Sequence, residues 1–102
     1  MSGMESPSLT PHAVVCATRD HVAAEVGDEV VILNLKDEVY YGLGSVGARI
    51  WELVQTPRRV SELRDRIVAE YEVGTARAER DLLDLLADLA RRGLVDVRHD
   101  GA

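Results

Sequence analysis

The chain has 102 residues, 46% of them hydrophobic, with no Phe and one Trp, so a single domain must build a modest core from Val, Ile, Leu and Ala. Twelve basic against 18 acidic residues give a net charge of −6, which disfavours a generic nucleic-acid binder, because Lys and Arg supply most of the affinity for a phosphate backbone. Cys16 is the only cysteine and excludes an intramolecular disulfide; with no signal-peptide pattern and no apolar run of membrane-spanning length, a cytoplasmic setting without a membrane partner is expected.

Residues 1–12 hold two of the three prolines and have no periodicity, so they are expected to be a flexible N-terminal tail. Residues 13–17 are a short apolar run with strand potential. The runs 21–26 and 29–35 flank Gly27-Asp28, and Gly at the first central position suits a type II′ hairpin. The second run is almost continuously apolar, which predicts a central strand covered on both faces or nearly so. Lys36-Asp37 then turns the chain into a third strand.

That strand, Glu38-Val-Tyr-Tyr-Gly-Leu43, passes directly through Gly44-Ser45 into a helix. Being last in its sheet, it leaves one row of backbone N–H and C=O groups unpaired, a template for another chain. Such edges are commonly blunted by Lys, Pro or a bulge; this one carries two tyrosines and a glycine. It reads as a docking edge. Tyr40 and Tyr41 must point to opposite sides, and the residues leave open which one faces inward.

Ser45 is a candidate N-cap for a first helix with apolar positions Val46, Ile50, Trp51 and Val54, ended by Pro57. A second helix starts near Ser61, with Val60, Leu63, Ile67 and Tyr71 on one stripe, and closes at Gly74. Thr75 can cap a third helix over 76–92, whose core stripe is Leu82, Leu85, Leu86 and Leu89, with Gly93 at its C-terminal end. Leu83 lies roughly 110° from the centre of that stripe, in line with Ala76, Ala87 and Ala90, so this helix is apolar over more surface than one core contact needs. Residues 94–97 can form a last short strand. The fold class is α+β: a winged-helix-like domain over residues 13–98, a three-stranded antiparallel sheet followed by three helices, with 99–102 as a C-terminal tail.

No Ser/His/Asp set or paired carboxylates suggest catalysis, so no catalytic site and no cofactor are expected. His12, His21 and His99 lack metal-ligand spacing, and the glycines are isolated turn residues, so neither a metal site nor a phosphate loop is expected. A winged-helix DNA-binding module is one alternative, but the third helix carries Glu79, Asp81, Asp84 and Asp88 against Arg77, Arg80, Arg91 and Arg92, where a basic recognition helix would be needed. A small adaptor using the same sheet edge is another.

Taken in order, Val30-Val-Ile-Leu-Asn-Leu35, Tyr40-Tyr-x-Leu43, Gly47-Ala-x-Ile-Trp51, Val60-Ser-Glu-Leu63 and Leu89-Ala-x-x-Gly-Leu94 resemble the PqqD-like RiPP recognition elements, over about residues 20–97. As a discrete acidic chain it is most similar to the leader-peptide-binding proteins of lasso peptide biosynthesis. The resemblance implies a non-catalytic protein that binds the leader of a ribosomally made precursor and delivers it to a leader peptidase and a lasso cyclase. It also implies that the leader joins the third strand and lies in a groove against the third helix. Carried onto this chain, that assigns the edge to Val39, Tyr40, Tyr41, Gly42 and Leu43, and the groove wall to Arg80, Leu83 and Ala87. A Tyr and a Pro of the leader are the implied anchors. Gly44 stands where the family often has Asn before the first helix.

Overall fold

The computed structural model describes residues 9–99, so the expected tail over 1–8 and the last three residues lie outside the described part. Its elements are β1 (Ala13–Ala17), β2 (His21–Val26), β3 (Glu29–Asn34), β4 (Val39–Leu43), α1 (Ser45–Leu53), β5 (Arg58–Arg59), α2 (Val60–Glu70), α3 (Thr75–Arg91) and β6 (Val95–His99).

The expected meander is present as an antiparallel sheet of order β2-β3-β4. Val26 pairs with Glu29 across the two-residue Gly27-Asp28 turn, and Gly27 supplies a φ of 67°. The following turn differs from expectation at Glu38, which leaves the strand: its φ is 60°, and its N–H donates to the Asn34 carbonyl at 2.8 Å. The strand therefore starts at Val39, whose N–H is held by the Asp37 carboxylate at 3.1 Å.

A second antiparallel sheet of order β5-β1-β6 joins the two ends of the domain, with Val15 opposite Val97 and Arg58. Local pattern marked both long strands but not their pairing. Residues 9–12 are anchored as well. Leu9 packs on the core, the Pro11 carbonyl accepts the Ser61 N–H at 2.9 Å, and the His12 carbonyl accepts the Arg59 guanidinium at 3.0 Å.

Between the sheets and the three helices lies a core of aliphatic side chains with Trp51. Val15, Ile32, Val54, Val60, Leu63, Leu82, Leu86, Leu89 and Leu94 are its most deeply buried members. Two positions differ from the periodic reading: Val46 is 38% exposed and Leu85 half-buried, so both sit at the rim of the core. β3 is central as expected, yet only one of its faces is closed. Val30, Ile32 and Asn34 are buried while Val31 and Leu33 are half-exposed, because among the described residues no layer covers the outer side of the meander.

Helix ends follow local chemistry. Gly44 and Gly74, not Ser45 and Thr75, occupy the N-cap positions of α1 and α3 and offer no side-chain acceptor. α2 starts at Val60, where the Glu62 carboxylate accepts the Arg59 N–H at 3.3 Å. α3 ends in a Schellman motif: Leu94 N–H to Leu89 C=O at 2.9 Å and Gly93 N–H to Ala90 C=O at 3.0 Å, with Gly93 at φ 73°. Gly47 lets α1 sit close on β4, since a Cβ there would come 3.1 Å from the Leu43 side chain.

Candidate functional site

Among the described residues β4 is hydrogen-bonded to β3 alone, so one edge of the meander carries backbone groups with no strand partner. Alternate residues of an antiparallel edge strand turn their N–H and C=O groups outward. Nothing blunts this edge: it has no Lys and no Pro, and at Gly42 no atom lies within 4 Å of where a Cβ would stand.

The parity of β4 is set by its register. Tyr41 opposes Ile32 and Leu43 opposes Val30, which puts both on the closed face; Tyr40 opposes Leu33 on the open face and is 69% exposed. Tyr41 is thus the tyrosine that meets α3. Its hydroxyl donates to the Asp88 carboxylate at 2.5 Å, and the Arg92 guanidinium lies 4.6 Å from its ring centroid. Asp88 also accepts from Arg91 at 2.8 Å and from Arg92 at 3.4 Å. The Tyr41 hydrogen bond, aided by Arg92 and Arg91, holds the Asp88 carboxyl below its usual range against a smaller opposing effect of burial. Burial, and then the neighbouring carboxylate, push the Tyr41 hydroxyl up.

The α3 flank that faces β4 is defined by those contacts. Asp88 and Arg92 are one turn apart, and Leu85 lies roughly 60° from Asp88 and 20° from Arg92 on the helical wheel, with Asp81 between Asp88 and Arg92, roughly 20° from each. A cavity of about 420 Å³ opens there between α1 and α3, lined by Val46, Gly47, Ile50, Asp81 and Leu85 among others. Gly47, one of its lining residues, packs close to Leu43 at the end of β4, since a Cβ there would come 3.1 Å from the Leu43 side chain.

Of the residues expected at the site, Val39, Tyr40, Tyr41, Gly42 and Leu43 all lie on β4. Arg80, Leu83 and Ala87 lie on α3 outside the Tyr41, Asp88 and Arg92 contact, roughly 80°, 140° and 100° around the helix from Asp88. Leu83 stands roughly 140° around α3 from Asp88 and 180° from Arg92, on the opposite flank. Arg80 and Leu83 line a separate hollow with Thr75, Ala76, Glu79 and Asp84. The contacts of β4 with α3 thus fall on the flank of Asp88 and Arg92, whereas the groove wall expected at Arg80, Leu83 and Ala87 lies elsewhere around the helix. Periodicity marks both flanks of the Leu stripe. Which one the sheet approaches depends on how α3 is rolled against it, and no local pattern encodes that.

Asn34 was also missed as a structural link. It is 7% exposed, donates through Nδ2 to the Arg92 carbonyl at 2.7 Å and accepts the Lys36 N–H at 2.9 Å, tying the end of β3 to the end of α3. A polar residue closing an otherwise apolar strand run was the available signal.

Among the described residues no cluster of three His, Cys, Asp or Glu side chains could hold a metal ion, and no helix is long and apolar enough to cross a membrane. What the geometry defines is a binding domain with an open sheet edge beside a helix-lined cleft.

Residues 29–95, about two thirds of the chain, match the family described as coenzyme PQQ synthesis protein D (PqqD). The chain belongs to the PqqD family. Among solved structures it resembles TbiB1 in complex with the TbiA(beta) leader peptide, at 40% identity over 85% of this chain and 96% of that one, with a TM-score of 0.73. It also shares the fold of a lasso peptide synthetase B1 complexed with the leader peptide, at 22% identity over 80% of this chain and 96% of that one, with a TM-score of 0.72. No curated protein sequence matches it.

Proposed function

We propose that this protein is a lasso-type RiPP recognition element that binds a precursor's leader peptide as an added strand on β4 and hands it to a leader peptidase and a cyclase. One observation carries the reading: in a PqqD-family chain, 40% identical to a protein solved with a leader peptide bound, the last strand of the meander has an unpaired edge beside an apolar cleft. Val39 to Leu43 supply the backbone, and Leu85, with Val46 and Ile50 behind it, supplies the pocket wall. Tyr41, Asp88 and Arg92 form the end of the groove nearest the start of β4.

The energetics say where selectivity lies. About five backbone hydrogen bonds at ~1 kcal/mol each are largely offset by the ~2–5 kcal/mol needed to order a free peptide. Net affinity then rests on two or three apolar anchors at ~1.5–3 kcal/mol each. Selectivity follows the pocket more than the edge.

Fluorescence polarisation with a labelled TbiA(beta) leader peptide, and with leaders of precursors encoded beside this chain's gene, tests the reading. Saturable binding that a scrambled peptide does not compete for is expected. Absence of binding to every such leader, with a folded protein, would remove it.

A further inference from the structure

The proposed groove does not end at Tyr41. Beyond Arg92 the chain turns at Gly93, between the Asn34 side chain and Thr18, whose hydroxyl donates to the Gly93 carbonyl at 2.8 Å. On the far side of that turn a cleft of about 600 Å³ opens, lined by Cys16, Arg19, Lys36, Gly93 and Arg98 together with the carboxylates Asp20 and Asp96. Lys36 stands three residues before Val39, so the cleft lies past the beginning of the free strand.

Its charge is unusual for this chain. Against 18 acidic and 12 basic residues overall, the cleft gathers three cations and two carboxylates. Most arginines are in ion pairs: Arg49, Arg58, Arg64, Arg66, Arg77, Arg91 and Arg92 all have a carboxylate within 4 Å. Among the described residues only Arg19, Arg80 and Arg98 have neither an acidic partner nor a hydrogen bond from the guanidinium, and two of those three meet here. Asp20 is already engaged by Lys36 at 3.4 Å, which leaves Asp96 as the one carboxylate facing two uncommitted guanidiniums. Arg98 opposes Val14 on β1, and Cys16 opposes Asp96, so Arg98 and Asp96 share the outer face of the β5-β1-β6 sheet.

We propose that this cleft binds carboxylate side chains of the same precursor peptide, in the stretch that runs on past the segment paired with β4. The inference rests on the leader-binding reading and names a second element of recognition within it. Lys36 sits in the turn that leads from β3 into β4, so a peptide running on past Val39 leaves the free edge on the side of the domain where this cleft opens. Guanidinium groups suit this task, since their planar forks match carboxylates in paired geometry. A concave cleft of about 600 Å³ fits a single extended chain better than the flat face of a folded partner.

Fluorescence polarisation on the full chain tests this with the TbiA(beta) leader peptide as core and with versions carrying three Glu or three Lys residues added at one end or the other. Glu at one end alone is expected to tighten binding about fivefold over the core, and Lys there to weaken it, as two exposed charge pairs would. A C-terminal effect indicates a peptide antiparallel to β4; an N-terminal effect indicates a parallel one. In the double variant R19E/R98E, checked for native circular dichroism, the Glu advantage should vanish or reverse while the core peptide binds unchanged. Equal affinity for Glu and Lys extensions, or a Glu advantage that persists in the double variant, overturns the cleft. Failure of the core peptide itself to bind overturns the leader reading, and the cleft with it.

Discussion

Tyr41 and Asp88, 47 residues apart in sequence, are joined by a hydrogen bond from the tyrosine hydroxyl to the carboxylate, and this contact fastens the free strand β4 to α3. Because Arg92 lies over the same ring and also bonds Asp88, one cluster fixes the strand, its inward-facing side chain and the roll of the helix together. A peptide joining β4 meets a surface that is already organised, which limits the ordering cost to the peptide itself.

Tyr41→Phe should lower stability by about 1 kcal/mol, the usual value of a partly exposed hydrogen bond to a charged group. Its pH dependence has a definite sign. Asp88 has a depressed folded-state pKa, so its contribution is full above the ordinary carboxylate range and is lost as pH falls through the lowered value. Tyr41 is shifted up, so its contribution is full below the ordinary tyrosine range and is lost as pH rises through the raised value. Urea unfolding followed from pH 7 down through the acid range should therefore show the gap between wild type and variant closing as pH falls through the lowered Asp88 value. A gap that stays constant across the whole acid series would mean the bond is not coupled to ionisation.

Leu85→Glu should weaken leader binding by at least tenfold, whereas Leu83→Glu should change it less than threefold, because only Leu85 shares the flank of Asp88 and Arg92. Burying an unpaired carboxylate against an apolar anchor costs well over 1.4 kcal/mol, the equivalent of that tenfold. Polarisation titrations on both variants, with circular dichroism as a control for folding, distinguish the two flanks; a larger loss at Leu83 would return the groove wall to the Arg80 side.

Gly42→Pro should reduce leader affinity through the backbone alone. Proline removes an N–H and restricts φ in the middle of β4, while the added ring meets open space. Gly42→Ala is the matched control and should bind nearly as wild type. If Pro and Ala variants bind alike, strand addition at β4 is not the mode of binding.

Asn34→Ala should cost about 2–3 kcal/mol of folding stability by leaving the Arg92 carbonyl and the Lys36 N–H without their partner. Asn34→Asp should be comparably damaging, because a carboxylate cannot donate to the Arg92 carbonyl. Chemical denaturation of both variants checks this. A near-neutral Asp variant would show that the donor half of the link contributes little.

Apart from the two-residue β5, the strands and helices were legible in the residues because each announces itself locally. Gly27-Asp28 sets a two-residue turn, Val60, Leu63 and Ile67 mark a helical stripe, and Gly93 ends α3 in a left-handed conformation that glycine adopts without the strain other residues would carry. Boundaries shifted by a residue where two neighbours could serve, as at Gly44 and Ser45. The pairing of β1 with β6 was not legible, since it joins segments about 80 residues apart through backbone bonds that carry no side-chain signature.

What the sequence by itself determined is the order of elements, their periods and the unprotected character of Val39 to Leu43, all of which follow from interactions within a few residues. Only the tertiary structure decided that Tyr41 and not Tyr40 faces α3, and that the flank of α3 it meets is that of Asp88, Arg92 and Leu85 and not that of Leu83. Both are choices of rotation, of a strand by half its two-residue repeat and of a helix about its axis. They are made by the packing of Ile32, Leu82, Leu86 and Leu89 in the shared core, where volume and not local propensity selects the arrangement.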